Sequence, residues 1–256
     1  MSAAPGPPNV SVGPVHVAKA SELLAAQLRE RILAGEIGEG DPLPTERELA
    51  VQSGLSRASV REALRILDIE GLISTRLGRN GGSAVRRPTQ EVVARSVNLF
   101  IRGQKVLFRS LLETREALEP TCARLAALRR TDQGLGTLEE LQRRLEASYH
   151  DLPAFLQANL EWHLAVARAS QNELLAAFMA AISDALHAGT DLENFNSDEV
   201  RAAVIRAHRR VTDAIRGGDA DAAARRMARH VGAYADNVRR RAEADELHRA
   251  SQEGAN

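Results

Sequence analysis

Three histidines, His163, His208 and His230, each fall in a stretch with helical spacing that is rich in Ala, Leu and Val. A single histidine on such a face is an ordinary hydrogen-bonded core residue. Three imidazoles from three helices are harder to explain by packing. Such a set can hold a first-row divalent metal through three nitrogens and leave coordination positions open. The spacing does not itself show that the three meet. Tyr234 and Asn237 follow His230 by four and seven residues and share its helix face, so they offer polar lining to a pocket there. Arg115 lies in another apolar-striped helix, among Leu111, Leu112, Leu118 and Leu125, with Glu119 four residues on. By spacing alone these two can form an intrahelical surface pair worth about 0.2–0.5 kcal/mol. Cys122, the one cysteine, reads as a small buried hydrophobe, and its solitude excludes an internal disulfide framework and a four-cysteine zinc site. A metal in a helical pocket can also activate water. Against an enzyme, no well-placed general base accompanies the histidines, since Glu161 faces elsewhere relative to His163, and the expectation is a protein that is not an enzyme. The single tryptophan, Trp162, adjoins His163 and is expected to pack in the helical core.

A second chemistry lies nearer the N-terminus. Ser56-Arg57-Ala58-Ser59-Val60-Arg61 opens a helical pattern in which Arg57 and Arg61 share one face. Ser56 can cap that helix, Ser59 adds a hydroxyl, and the helix N-terminus presents free amides to phosphate. From Arg57 to Arg87 there are seven arginines against three acids (Glu62, Asp68 and Glu70). That local excess sits in a chain of zero formal net charge, with 34 basic and 34 acidic residues. A nucleic-acid role must therefore come from this patch rather than from the whole chain.

The elements that carry these groups can be read from the same 256 residues. Residues 1–16 are rich in Pro, Gly and Ala and lack the basic and apolar regions of a signal peptide, so they read as a disordered tail. No apolar run is long enough to span a membrane, which makes a cytoplasmic protein the expectation. Between 17 and 87 the pattern runs helix (18–33), a break at Gly35, Gly38, Gly40 and Pro42, a capping box at Thr45 and Glu48 opening a short helix to Ser53, then a helix from Ser56 to about Glu70. Gly71 stops it. Two short strands follow, at 72–76 and 83–86, around a turn containing Gly78, Gly81 and Gly82. This order is a winged helix-turn-helix. After Pro88, residues 88–250 are almost wholly helical in pattern. The fold class is mainly α: an N-terminal winged helix-turn-helix plus a C-terminal all-α helical bundle.

The stretch LPTERELAVQSGLSRASVREALRILDIEGLISTRLGRNGG is very similar to the DNA-binding domain of GntR-type bacterial transcription regulators. Three later stretches, LLETREALEPTCARLAAL, ANLEWHLAVARASQN and AHRRVTDAIRGGDADAAARRMARHV, resemble the FCD ligand-binding domain of the FadR subfamily. The first resemblance implies that Arg57 and Arg61 read bases from the recognition helix, with Ser56 and Ser59 beside them, that Arg47 contacts DNA from the second helix, and that Gly78 sits at the wing tip. The second implies a metal centre of one Asp and three His, here His163, His208 and His230, holding zinc, nickel or manganese. Asn159 stands four before His163, where that pattern has Asp. An ion there keeps its full charge until an anion joins it; alternatively, the site has lost its metal. The resemblance also turns Arg115 into the pocket, toward an effector carboxylate, with Asn159, Tyr234 and Asn237 around it. The implied protein is a regulator, by default a repressor, that binds an imperfect palindrome as a homodimer and answers to a small organic acid. A constitutive DNA-binding protein with a degenerate, metal-free sensor stays open beside it, and a metal-dependent enzyme behind both.

Overall fold

The computed structural model describes residues 19–76, 82–189 and 197–253. The expected tail at 1–16 and the wing-tip Gly78 lie outside the described residues. The chain divides into two compact units, Met1–Thr89 and Gln90–Asn256.

In the first unit, α1 (Ala20–Leu33) begins two residues after the point its spacing predicts. The Pro42–Thr45 stretch leads into α2 (Glu46–Ser53), whose N-terminus is closed by the full capping box: the Thr45 side chain accepts the Glu48 amide, and Glu48 reaches back to the Thr45 amide. Gly54 ends α2 with φ +71°, a left-handed conformation that a glycine adopts without penalty. Only one residue, Leu55, then separates it from Ser56, the N-cap of α3 (Arg57–Ile69). The chain returns through β1 (Ile73–Arg76) and β2 (Gly82–Val85), paired antiparallel with Ile73 opposite Val85 and Arg76 opposite Gly82. A bridge from Pro42 to Ala84 ties the α1–α2 connection to β2. Leu24, Leu28, Leu49, Val60, Leu67 and Ile73 close one small core, which fixes α3 by its inner face and leaves its outer face to solvent.

The second unit is helical throughout its described residues. Its elements are α4 (Gln90–Gly103), α5 (Phe108–Arg129), α6 (Asp132–Ala147), α7 (Leu152–Ala169), α8 (Glu173–Gly189), α9 (Asp198–Gly217) and α10 (Ala220–Glu253). Helix α5 packs against α7, α8, α9 and α10, and so forms the centre of the bundle. Its Ala123, Ala126, Ala127 and Cys122 are buried and let neighbouring helices approach closely. Burial pushes the Cys122 thiol up to about 12, with the Glu119 charge adding to it, so it stays protonated and inert. Trp162 and Phe155 on α7 and Met227 on α10 fill the interior. No helix of the described residues is long and apolar enough to cross a membrane.

Candidate effector site and nucleic-acid face

Helices α7, α9 and α10 each deliver one histidine to a common point. The Nε2 atoms of His208 and His230 lie 3.0 Å apart, those of His230 and His163 3.3 Å apart, and all three converge within 4.8 Å. Two nitrogens at about 2.0–2.1 Å from a tetrahedral ion stand roughly 3.3 Å apart, so the donor set fits a divalent metal. Trp162 stacks on His208 with ring centroids 3.7 Å apart and donates its indole N–H to Thr212. This holds the His208 ring fully buried. All three imidazoles are held neutral: burial lowers their pKa values, and the neighbouring Arg115 charge, and for His208 and His230 the other imidazoles, lower them further. Neutral imidazole is the form that ligates.

Glu119 is the residue whose interior role helical spacing did not show. It does pair with Arg115, but in the interior rather than at the surface, with 2% of its side chain and 13% of the Arg115 side chain exposed. Its other oxygen takes His163 Nδ1 at 2.5 Å. Burial raises the Glu119 pKa, but the Arg115 guanidinium and His163 outweigh it and hold the carboxyl at about 2. An ionised carboxylate only accepts and a guanidinium only donates. His163 is therefore the Nδ1–H tautomer, and its Nε2 lone pair accepts Arg115 Nη2–H at 2.6 Å. A carboxylate behind a histidine is the arrangement that orients metal-binding imidazoles. Helical spacing alone could not reveal it, because an i,i+4 Arg–Glu pair reads the same whether it faces solvent or core.

Arg115, Asn159, His163 and Tyr234 line both cavities here. One is small, about 30 Å³, and is closed on its far side by Glu119, Met179 and Leu186. The other is about 460 Å³ and adds His230 and Asn237 to its wall. The structure thus gathers Arg115, Asn159, Tyr234, Asn237, His163 and His230 around one space. His208 belongs to the histidine cluster but not to the cavity wall. The Arg115 guanidinium lies 5.9 Å from the Tyr234 ring centroid, a cation–π contact. Glu161 is engaged elsewhere, with Arg144 at 2.7 Å and Gln157 at 2.8 Å.

In the first unit, α3 presents its N-terminus and one basic face to solvent. The Ser56 hydroxyl accepts the Ser59 amide at 3.1 Å and lies 3.0 Å from the Ser59 hydroxyl, so both serines are occupied in the cap. Arg47 on α2 and Arg57 on α3 are exposed, with no side-chain hydrogen bond or ion pair among the described residues. Arg61 is also exposed but forms a two-pronged pair with Glu46 of α2, at 2.9 and 3.1 Å. The pair lowers the Glu46 pKa, first through its hydrogen bonds.

An exposed, capped helix bearing unpaired arginine in a winged helix-turn-helix, joined to a helical unit that encloses a polar cavity, has the features of a DNA-binding transcription regulator. The comparisons with known proteins agree. Residues 20–82 match the bacterial regulatory proteins of the gntR family, and residues 110–233 match the FCD domain. The chain is 32% identical over 219 residues to an Escherichia coli K12 regulatory protein named for the L-lactate dehydrogenase operon, covering 82% of this chain and 83% of that one. It is 28% identical to the galactonate operon transcriptional repressor of the same organism, over 79% of this chain and 90% of that one. A solved GntR protein of Streptococcus agalactiae superposes with a TM-score of 0.65 at 28% identity, covering 84% of this chain and 99% of that one. The chain belongs to the GntR family of bacterial regulatory proteins: it is a DNA-binding transcription regulator with an FCD domain.

Proposed function

We propose that residues 17–87 bind an operator, that residues 88–250 bind a small organic acid and join two copies into a homodimer, and that the acid controls operator binding. The carrying observation is the cavity that joins the Arg115 guanidinium to the three-histidine cluster. Arg115 suits a carboxylate because its planar fork makes two parallel charge-assisted hydrogen bonds. Two copies would present two equivalent reading heads, which makes the operator an imperfect palindrome. Arg57 and Arg61 read guanine edges, while Arg47, Ser56, Ser59 and the wing around Gly78 position the protein on the backbone. The protein works in the cytoplasm, as a repressor released by its acid. The acid binds one arrangement of the sensor better and shifts the population toward it.

His163, His208 and His230 would hold zinc, nickel or manganese, with the Asn159 amide oxygen as a further donor. Such an ion supplies positive charge that draws a carboxylate or hydroxyl of the acid. A second reading, a sensor without metal, is favoured by one contact: Arg115 occupies the His163 lone pair that an ion would need. Native mass spectrometry with metal analysis, together with operator binding in the presence of added acids, decides between them. A dimer with one divalent ion per subunit and acid-sensitive operator binding supports the first. A metal-free dimer that takes up no added zinc or nickel, yet still answers to acids, supports the second. Operator binding that no acid alters overturns the effector reading, and turnover of an added acid makes the protein an enzyme.

A further inference from the structure

The 460 Å³ cavity carries far more positive charge than one carboxylate requires. Besides Arg115, four arginines line it: Arg210 on α9 and Arg226, Arg229 and Arg240 on α10. None of its described lining residues is acidic. On the same two helices, Arg209 pairs with Glu146 at 2.7 Å, Arg216 with Glu139 at 3.0 Å and Arg239 with Glu116 at 2.6 Å. These three arginines lie off the cavity and are matched with carboxylates; the four at its mouth have no ion pair among the described residues, and neither do Arg206 and Arg225, which lie off the cavity. The spacing explains how one helix does this. Arg226, Arg229, Ala233 and Arg240 recur at steps of three, four and seven, which keeps them on the His230 face of α10. Arg226 is also braced, donating to the Arg210 carbonyl at 2.5 Å. Like charges gathered without counter-charge repel one another, and an anion among them relieves that repulsion.

The opposite wall is apolar. Val200, Ala203, Val204 and Ala207 form one stripe of α9, and the short alanine side chains leave the space open. The site therefore has a buried polar end at Arg115, a hydrocarbon wall and a cationic mouth. Its volume lies in the range that holds drug-sized ligands.

We propose that the effector is an organic acid with two anionic ends: a carboxylate seated at Arg115, and a second group, phosphate or carboxylate, held at the mouth by Arg226 and Arg229 with Arg210 and Arg240 around it. This rests on the effector reading above and narrows it to one chemical class. Arginine binds both anions through the same planar fork, so the mouth selects for charge before it selects between phosphate and carboxylate.

The test is calorimetric titration of the full-length protein with acids paired by carbon skeleton: glycerate against 3-phosphoglycerate, gluconate against 6-phosphogluconate, and butyrate against succinate. In at least one pair, the member with the second anion binds at least about tenfold tighter, the scale of one added charge-assisted contact. The phosphate pairs and the dicarboxylate pair show which anion the mouth prefers. In an Arg226→Gln/Arg229→Gln double variant that advantage disappears, while the singly charged partner keeps its affinity within about twofold. Both arginines lie near the surface, and unchanged operator binding by the variant checks that it folds. Equal affinity within every pair, or an advantage that survives the double variant, overturns the inference and leaves the effector reading standing. If no acid of either kind binds while the operator is still bound, both fall together.

Discussion

Glu119→Gln removes one charge from the interior and changes almost nothing else in size. Glu119 is 1% exposed, and its carboxylate faces Arg115 and His163. The glutamine amide can still accept the His163 N–H, but the Arg115 guanidinium then has no counter-charge in a nearly dry site. Removing one partner of a buried pair costs about 3–5 kcal/mol. A second route gives a similar figure. The carboxyl is held at about 2 against an ordinary 4.5, and at about 1.4 kcal/mol for each pH unit between them, the charged form is worth about 3 kcal/mol. For a helical unit of this size, 1 kcal/mol moves the melting midpoint by about 2–4 °C, so a fall of roughly 6–12 °C is expected at neutral pH. The sign with pH follows from a depressed carboxyl. Its contribution is complete above the ordinary carboxylate range and is lost as pH falls from there toward about 2. The gap between parent and variant therefore narrows below about pH 4.5. Differential scanning calorimetry of both proteins near pH 7 and near pH 4 reads it. Arg115→Met/Glu119→Leu, which removes both charges, recovers only part of the loss: it leaves no buried charge unmatched, but it takes the acceptor from the buried His163 Nδ1–H. A Glu119→Gln midpoint within about one degree of the parent at neutral pH would refute the charge balance assigned to this core.

Arg57→Ala lowers operator affinity by about 1–3 kcal/mol and relaxes base preference at its position, whereas Arg47→Ala weakens all sequences alike and lowers the salt slope by about one; fluorescence anisotropy over a salt series separates the two. Glu46→Gln frees Arg61 and strengthens binding to random-sequence DNA by at most about 1 kcal/mol, since the pair it breaks is solvent-exposed; weaker binding in that assay would mean that Glu46 holds Arg61 in its reading position. His208→Gln abolishes retention of added zinc in metal analysis after desalting and changes the emission of Trp162, which stacks on that ring; zinc retained at the level of the parent removes His208 from the ligand set.

The recognition half was legible in the sequence because local signals fix it. The Thr45–Glu48 capping box, the Gly54 turn and the Ser56 cap each act within a few residues, and together they set where α2 ends and α3 begins. The site in the helical half was legible only in part. Helical spacing places Tyr234 and Asn237 with His230, and both line the same cavity. Spacing could not say which face of α5 is interior, so Glu119 read as one half of a surface pair. It could not see the Arg61–Glu46 pair either, which joins residues on two helices. The arginines of α10 were hidden for a related reason. In a chain with 34 basic residues, a helix carrying Arg225, Arg226, Arg229, Arg239 and Arg240 looks like any solvated helix. Only the pairing of some with carboxylates, and the gathering of others at one opening, gives them different meanings.

Two independent features of the cavity point the same way in charge. Asn159 brings an amide to a position where a carboxylate would have brought a negative charge, and the four mouth arginines bring positive charge with no carboxylate paired to them among the described residues. Glu119 cannot make up the difference, because its charge is already spent on Arg115 and on orienting His163. The histidines add nothing to the total, since burial and their neighbours hold all three neutral. Among the described residues, the charge around the opening therefore comes from the arginines. A neutral ligand of the same shape would leave that repulsion in place, and a singly charged one would relieve it at one end only. Stability should accordingly respond to anions even before the true effector is known. Inorganic phosphate raises the melting midpoint of the parent protein more than chloride does at matched ionic strength, and Arg226→Gln/Arg229→Gln removes most of that difference. An equal response to the two salts in the parent would mean that the mouth arginines are individually solvated and do not act as one site.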